Sequence, residues 1–94
     1  MKRYHIIVEG LVQGVGFRWY VLSIANKYFI TGTVKNLSNG MVEVFAQGHE
    51  RDLDIFLHAL ESGSHYSRVE NVSYKVCPVK ENESRFEVIY QQYF

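Results

Sequence analysis

Two amphipathic helices packed on one face of a single antiparallel-dominated sheet, an α/β sandwich, is the fold that these 94 residues predict. Three observations carry the prediction. Short runs of β-branched and aromatic residues alternate with two segments of helical period, and glycine-bearing turns separate them. Their order is β-α-β-β-α-β, with one more short strand at the C-terminus. Each helix is apolar on one side only, so both must cover the same face of the sheet and leave the other partly wet.

Residues 4–9, Tyr-His-Ile-Ile-Val-Glu, are bounded by Gly10 and predict the first strand. From Phe17 the period changes. Phe17, Tyr20, Val21, Ile24, Ala25 and Tyr28 recur at helical spacing and make one continuous apolar face. Residues 30–36 return to a strand, and residues 41–47 form the next, with Val42, Val44 and Ala46 on one side. Between them Leu37-Ser38-Asn39-Gly40 is a hairpin turn, because Asn-Gly tolerates the positive φ angles of tight turns. A second helix spans residues 50–60, with Leu53, Phe56, Leu57 and Leu60 inward and acidic residues in its first turn. Ser62-Gly63-Ser64 ends it. Residues 69–79 and 85–90 supply the last strands, alternating through Val72, Tyr74 and Val76 and then Phe86, Val88 and Tyr90. The sole proline, Pro78, falls in the first of these. The expected architecture is ferredoxin-like, in one domain over residues 1–94. It hosts many unrelated activities, so function must come from a site.

Composition narrows the field. The apolar fraction of 47% and aromatic fraction of 15% suit a packed globule and not a disordered chain. Lys plus Arg and Asp plus Glu number 10 each, for a formal net charge of zero. That balance removes the usual driver for nucleic-acid or anionic-membrane binding, while a local site for a small anion stays compatible with it. Cys77 is the only cysteine and has no internal disulfide partner, which fits a reducing compartment. The basic Met1-Lys2-Arg3 start leads to Glu9 and glycines and not to the apolar run of a secretory leader. No stretch approaches the roughly 20 apolar residues of a membrane span. A cytoplasmic monomer acting on a small molecule, with no nucleic-acid or membrane partner, is expected.

The informative stretch is Gly10-Leu11-Val12-Gln13-Gly14-Val15-Gly16-Phe17-Arg18, joining the first strand to the first helix. Two glycines one residue apart let backbone N–H groups converge into an anion-binding nest. The loop feeds a helix N-terminus, which also favours negative charge. Arg18, in the first helical turn, offers a planar fork of donors suited to two phosphoryl oxygens. Two familiar phosphate motifs are excluded. The third glycine of a dinucleotide fingerprint is replaced by Trp19, and a nucleotide P-loop would continue Gly-Lys-Ser/Thr where this chain has Phe-Arg-Trp. On the residues alone, an anion cradle and an ordinary glycine-rich turn with a surface arginine weigh about evenly.

Val12-Gln13-Gly14-Val15-Gly16-Phe17-Arg18 resembles the signature of the acylphosphatase family. A second block, Gly32-Thr33-Val34-Lys35-Asn36, follows in the family's order. So do Gly40, Val42-Glu43, Ala46-Gln47-Gly48, Gly63 and Val69, and the likeness covers nearly the whole chain. The resemblance implies the same ferredoxin-like fold and an enzyme that hydrolyses the carboxyl–phosphate anhydride of acyl phosphates. It implies that Arg18 binds the substrate phosphate, that Asn36 positions the attacking water, and that the backbone of Gln13, Gly14, Val15, Gly16, Phe17 and Arg18 is the cradle. Two departures stand out. The family commonly has an aromatic residue where this chain has Thr33, and glycine after the first helix where this chain has Phe29. A left-handed Phe29 would cost about 1–2 kcal/mol, unless the helix ends differently.

This chemistry needs little apparatus. The leaving carboxylate belongs to an acid with pKa about 4, so a general acid is dispensable. What remains is to bring water in line and to neutralise the phosphoryl oxygens. No cofactor or metal is expected. His5, His49, His58 and His65 are scattered without a metal-ligand spacing and read as surface or half-buried side chains. Cys77 reads as a packed thiol and Ser38 as a turn residue. Trp19 either lines the pocket mouth or packs over the sheet edge. Two other functions fit less well. One is a non-catalytic module binding RNA or a small regulatory anion; RNA binders of this shape carry strand aromatics, where residues 41–47 offer only Phe45, and the neutral charge balance argues further against RNA. A preference for carbamoyl phosphate suits the larger carbamoyl-transfer proteins that contain such a domain better than a free-standing one.

Overall fold

A computed structural model describes residues 1–90 of the chain. In chain order the elements are β1 (Lys2–Leu11), α1 (Phe17–Lys27), β2 (Thr31–Asn36), β3 (Val42–Gly48), α2 (Glu50–Ser62), β4 (Arg68–Cys77) and β5 (Phe86–Ile89). The strands form one sheet in the order β4-β1-β3-β2-β5. All neighbours are antiparallel except β2 and β5, which run parallel. This is the two-helix, one-sheet arrangement predicted from the sequence, with the extra strand at an edge.

Strand alternation sets the core. Tyr4, Ile6 and Val8 of β1 lie opposite Ala46, Val44 and Val42 of β3, and all are buried under the helices. Phe17, Val21 and Ala25 of α1 and Leu53, Phe56 and Leu60 of α2 close the other side. The Tyr20 hydroxyl donates to the Ala59 carbonyl at 2.9 Å and ties the helices together.

Element ends depart from the pattern for identifiable reasons. The strand expected from residue 30 starts at Thr31, because the Ile30 N–H bonds back to Ala25 O at 2.9 Å. That bond completes a Schellman ending on α1, with Phe29 in the left-handed region at φ 58°. The helix therefore ends as a glycine would end it, and Phe29 carries the strain while 87% exposed. The strand expected through residue 79 stops at Cys77, just before Pro78, which has no N–H to continue the ladder. Tyr74 and Val76, on the alternating positions of that strand, are more than half exposed because β4 is the sheet edge.

The uncovered face is polar and is clamped at one end by the connection between β4 and β5. Arg3 Nη1 donates to Glu83 Oε1 at 2.8 Å and to Gln47 Oε1 at 3.1 Å. Thr31 Oγ1 donates to the same Glu83 oxygen at 2.8 Å. The Gln47 carboxamide meets the Lys80 backbone twice, donating to its carbonyl at 3.0 Å and accepting from its N–H at 2.8 Å. These bonds hold the connection against the sheet and deliver β5 to β2. No helix among the described residues is long and apolar enough to cross a membrane.

Candidate active site

Three strand ends converge at one edge of the sandwich. Val42, at the start of β3, pairs with Val8 of β1 on one side and with Asn36 of β2 on the other. Asn36 is two residues beyond buried Val34, so it lies on the helix-covered face, as Val8 does. The loop leaving β1 and the last residue of β2 thus flank the same row. Ile89 pairs with Lys35, which brings the end of β5 to the same edge.

The loop has the backbone of an anion nest. Gly14 and Gly16 have φ of 73° and 77°, and Val15 between them is not in the positive-φ region. A Cβ at either glycine would meet nothing within 4 Å, so glycine is required there by backbone angle and not by space. Val12 and Phe17, both buried, anchor the two ends of the loop in the core. Gly16 caps α1 with no side-chain hydrogen bond, and no acidic residue stands in the first turn. The opening N–H groups of the helix therefore face the edge with their positive end, which suits a phosphoryl oxygen.

Arg18 sits in that first turn, half-buried. Its Nη1 donates to the Ile89 carbonyl at 3.1 Å, and its guanidinium lies 4.8 Å above the Tyr90 ring. Trp19 is exposed and stands 6.2 Å from Tyr90. One of five guanidinium N–H donors is thus directed at β5, and the Tyr90 ring supplies a cation–π contact to the fork. Sequence reasoning found Arg18 but neither of its partners at the end of the chain's last strand, Ile89 in β5 and Tyr90 just after it, since nothing local announces that β5 runs parallel to β2.

Asn36 ends β2 with its Oδ1 buried. The sequence also assigned the backbone of Gln13 to the cradle, and its side chain does something further. Gln13 Nε2 donates to both the Leu37 and the Met41 carbonyls, each at 2.8 Å. Of the two departures, Thr33 pairs with Phe45 and Glu87 on the open face, away from the cradle, and Phe29 is at the far end of α1. Two of the histidines are engaged elsewhere in the fold. His5 Nε2 meets Glu43 Oε2 at 2.8 Å and its ring stacks on Phe45 at 4.5 Å, while His58 Nδ1 donates to the Asp54 carbonyl.

Comparison with known proteins bears on the whole chain. The sequence model of the family described as Acylphosphatase matches residues 4–88. A Clostridium acetobutylicum acylphosphatase is 44% identical over 90 residues, covering 96% of this chain and 99% of its own. The crystal structure of acylphosphatase from Bacillus subtilis superposes with a TM-score of 0.91 at 42% identity, covering 96% of this chain and all of that one. Full-length HypF, in its phosphate- and nucleotide-bound form, matches with a TM-score of 0.86 at 31% identity, over 94% of this chain but 12% of that one.

Proposed function

Since this chain belongs to the acylphosphatase family and hydrolyses acyl phosphates, we propose that the Gln13–Arg18 cradle binds the phosphoryl group while Asn36 orients the attacking water. The observation that carries this reading is the shared row: Asn36 lies across Val42 from the strand that feeds the glycine loop, on the same face of the sheet. A phosphoryl group in the nest would meet backbone N–H groups on one side and the Arg18 fork on another. These donors neutralise the equatorial oxygens, where charge collects in the transition state. The Asn36 carboxamide oxygen accepts a hydrogen bond from water, and its N–H group can donate to a phosphoryl oxygen. Water so held attacks phosphorus opposite the carboxylate, which departs with the P–O bonding electrons and needs no proton to leave.

The two side chains have separable roles, and two variants test them. Arg18→Ala and Asn36→Ala should each lower kcat on benzoyl phosphate about 100-fold or more. Inorganic phosphate, used as a competitive inhibitor, should bind Arg18→Ala much more weakly than the parent, and Asn36→Ala only slightly more weakly, since one neutral donor is lost in place of the charged fork. A folded Asn36→Ala with parental kcat would remove the water-orienting role, and a folded Arg18→Ala with parental phosphate affinity would remove the cradle's arginine.

A further inference from the structure

The two halves of the site are carried by segments that share no ladder of backbone hydrogen bonds. The cradle follows the end of β1, and Asn36 stands at the end of β2, with β3 between. Gly14 and Gly16 give the loop its nest geometry, yet glycine also leaves a loop free to drift. In-line attack tolerates little of that, since a displacement of about 1 Å costs on the order of 100-fold in rate.

One side chain spans the gap. We propose that the Gln13 carboxamide is a positioning residue, a brace that sets the cradle against Asn36. Both Nε2 hydrogens are used, one on Leu37 O and one on Met41 O, each at 2.8 Å. These two carbonyls frame the base of the β2–β3 hairpin, where Leu37 N bonds to Met41 O at 2.9 Å and Gly40 N to Leu37 O at 3.2 Å. Leu37 directly follows Asn36, and Met41 directly precedes Val42, the cross-strand partner of Asn36. The carboxamide therefore grips both arms of the hairpin one step beyond the residue proposed to hold water. Only a side chain of this length with two N–H donors can bridge both carbonyls. Glutamate would aim carboxylate oxygens at them, and asparagine is one methylene short.

This proposal rests on the reading of Asn36 given above, and its test separates the two. Gln13→Met keeps length and packing without the donors, and Gln13→Ala removes the arm altogether. Thermal unfolding confirms that each variant is folded under the assay conditions. On benzoyl phosphate, kcat should fall about 10- to 100-fold in both variants, the scale of a small displacement in an in-line reaction. The inhibition constant of inorganic phosphate should stay within about threefold, because the nest is closed by its own backbone. In an Asn36→Ala background, Gln13→Met should change kcat by less than about twofold, since residues acting as one unit are not additive. Parental kcat in a folded Gln13→Met overturns the brace, as does a parallel loss of phosphate affinity, which would mean that Gln13 merely holds the nest together. A tenfold or greater further loss on adding Gln13→Met to Asn36→Ala also overturns it. If Asn36→Ala alone keeps parental kcat, the reading of Asn36 fails first, and the brace falls with it.

Discussion

Removing Glu83 should unfold this domain more readily than any change of comparable size on its surface. The Arg3 and Glu83 side chains are each 9% exposed and meet at 2.8 Å. Glu83→Ala leaves the guanidinium buried beside the Gln47 carboxamide at 3.1 Å and the Phe45 ring at 5.3 Å, with no carboxylate to neutralise it there. Breaking a buried pair from one side costs about 3–5 kcal/mol. The Thr31 hydroxyl loses its acceptor as well, for about another 1 kcal/mol. With a urea m-value of about 1–2 kcal/mol per M for a chain of this size, the midpoint should fall by about 2–6 M. Glu83→Gln keeps an acceptor oxygen and should cost about half as much. Arg3→Met/Glu83→Leu should recover most of the loss, because apolar replacement of a buried pair is often near neutral. Trp19, the only tryptophan, provides the fluorescence signal for urea unfolding. A Glu83→Ala cost under about 1 kcal/mol would refute the reasoning, and so would a double variant as costly as the two singles summed.

Two more consequences concern the helices. Phe29→Gly should relieve about 1–2 kcal/mol of left-handed strain, offset by about 0.5–1 kcal/mol of extra unfolded-state freedom, for a net gain of about 0.5–1 kcal/mol. Since Phe29 is 87% exposed, little burial is lost, and Tm should rise by about 2–6 °C by calorimetry; a fall in Tm would contradict the Schellman account. Tyr20→Phe should cost about 1 kcal/mol near pH 7 through the lost bond to Ala59 O. Burial raises the Tyr20 pKa above its ordinary 10.0, so the folded state keeps its proton to higher pH than the unfolded chain. That contribution is present below pH 10 and lost as pH rises through the raised value, so the gap between parent and variant in urea midpoint should narrow above pH 10. A gap that stays constant would contradict it.

The periodicity of apolar residues made the element order legible because each strand and helix has one buried face, and alternation at Val42, Val44 and Ala46 reports that face directly. Ends were less legible, since they depend on single bonds such as Ile30 N–H to Ala25 O. The glycine loop was readable as a demand for positive φ, which Gly14 and Gly16 both show. What the residues could not reveal is long-range. Arg3 reads as a terminal charge beside Lys2, yet it is 7% exposed, because the partner that neutralises it lies 80 positions away. The Ile89 contact to Arg18 depends on a parallel pairing that closes only in the folded sheet. Gln13 was legible as part of a loop, and its grip on Leu37 and Met41 needs the hairpin to be in place.

The most direct test of the account is hydrolysis of benzoyl phosphate by the purified protein in water enriched in oxygen-18, followed by mass analysis of both products under single-turnover conditions. Attack on phosphorus, with the cradle holding the phosphoryl group and Asn36 the water, places the heavy oxygen in inorganic phosphate and leaves benzoate unlabelled. Label in benzoate would mean that water attacks the carbonyl carbon, and the roles proposed for Arg18 and Asn36 would be contradicted together.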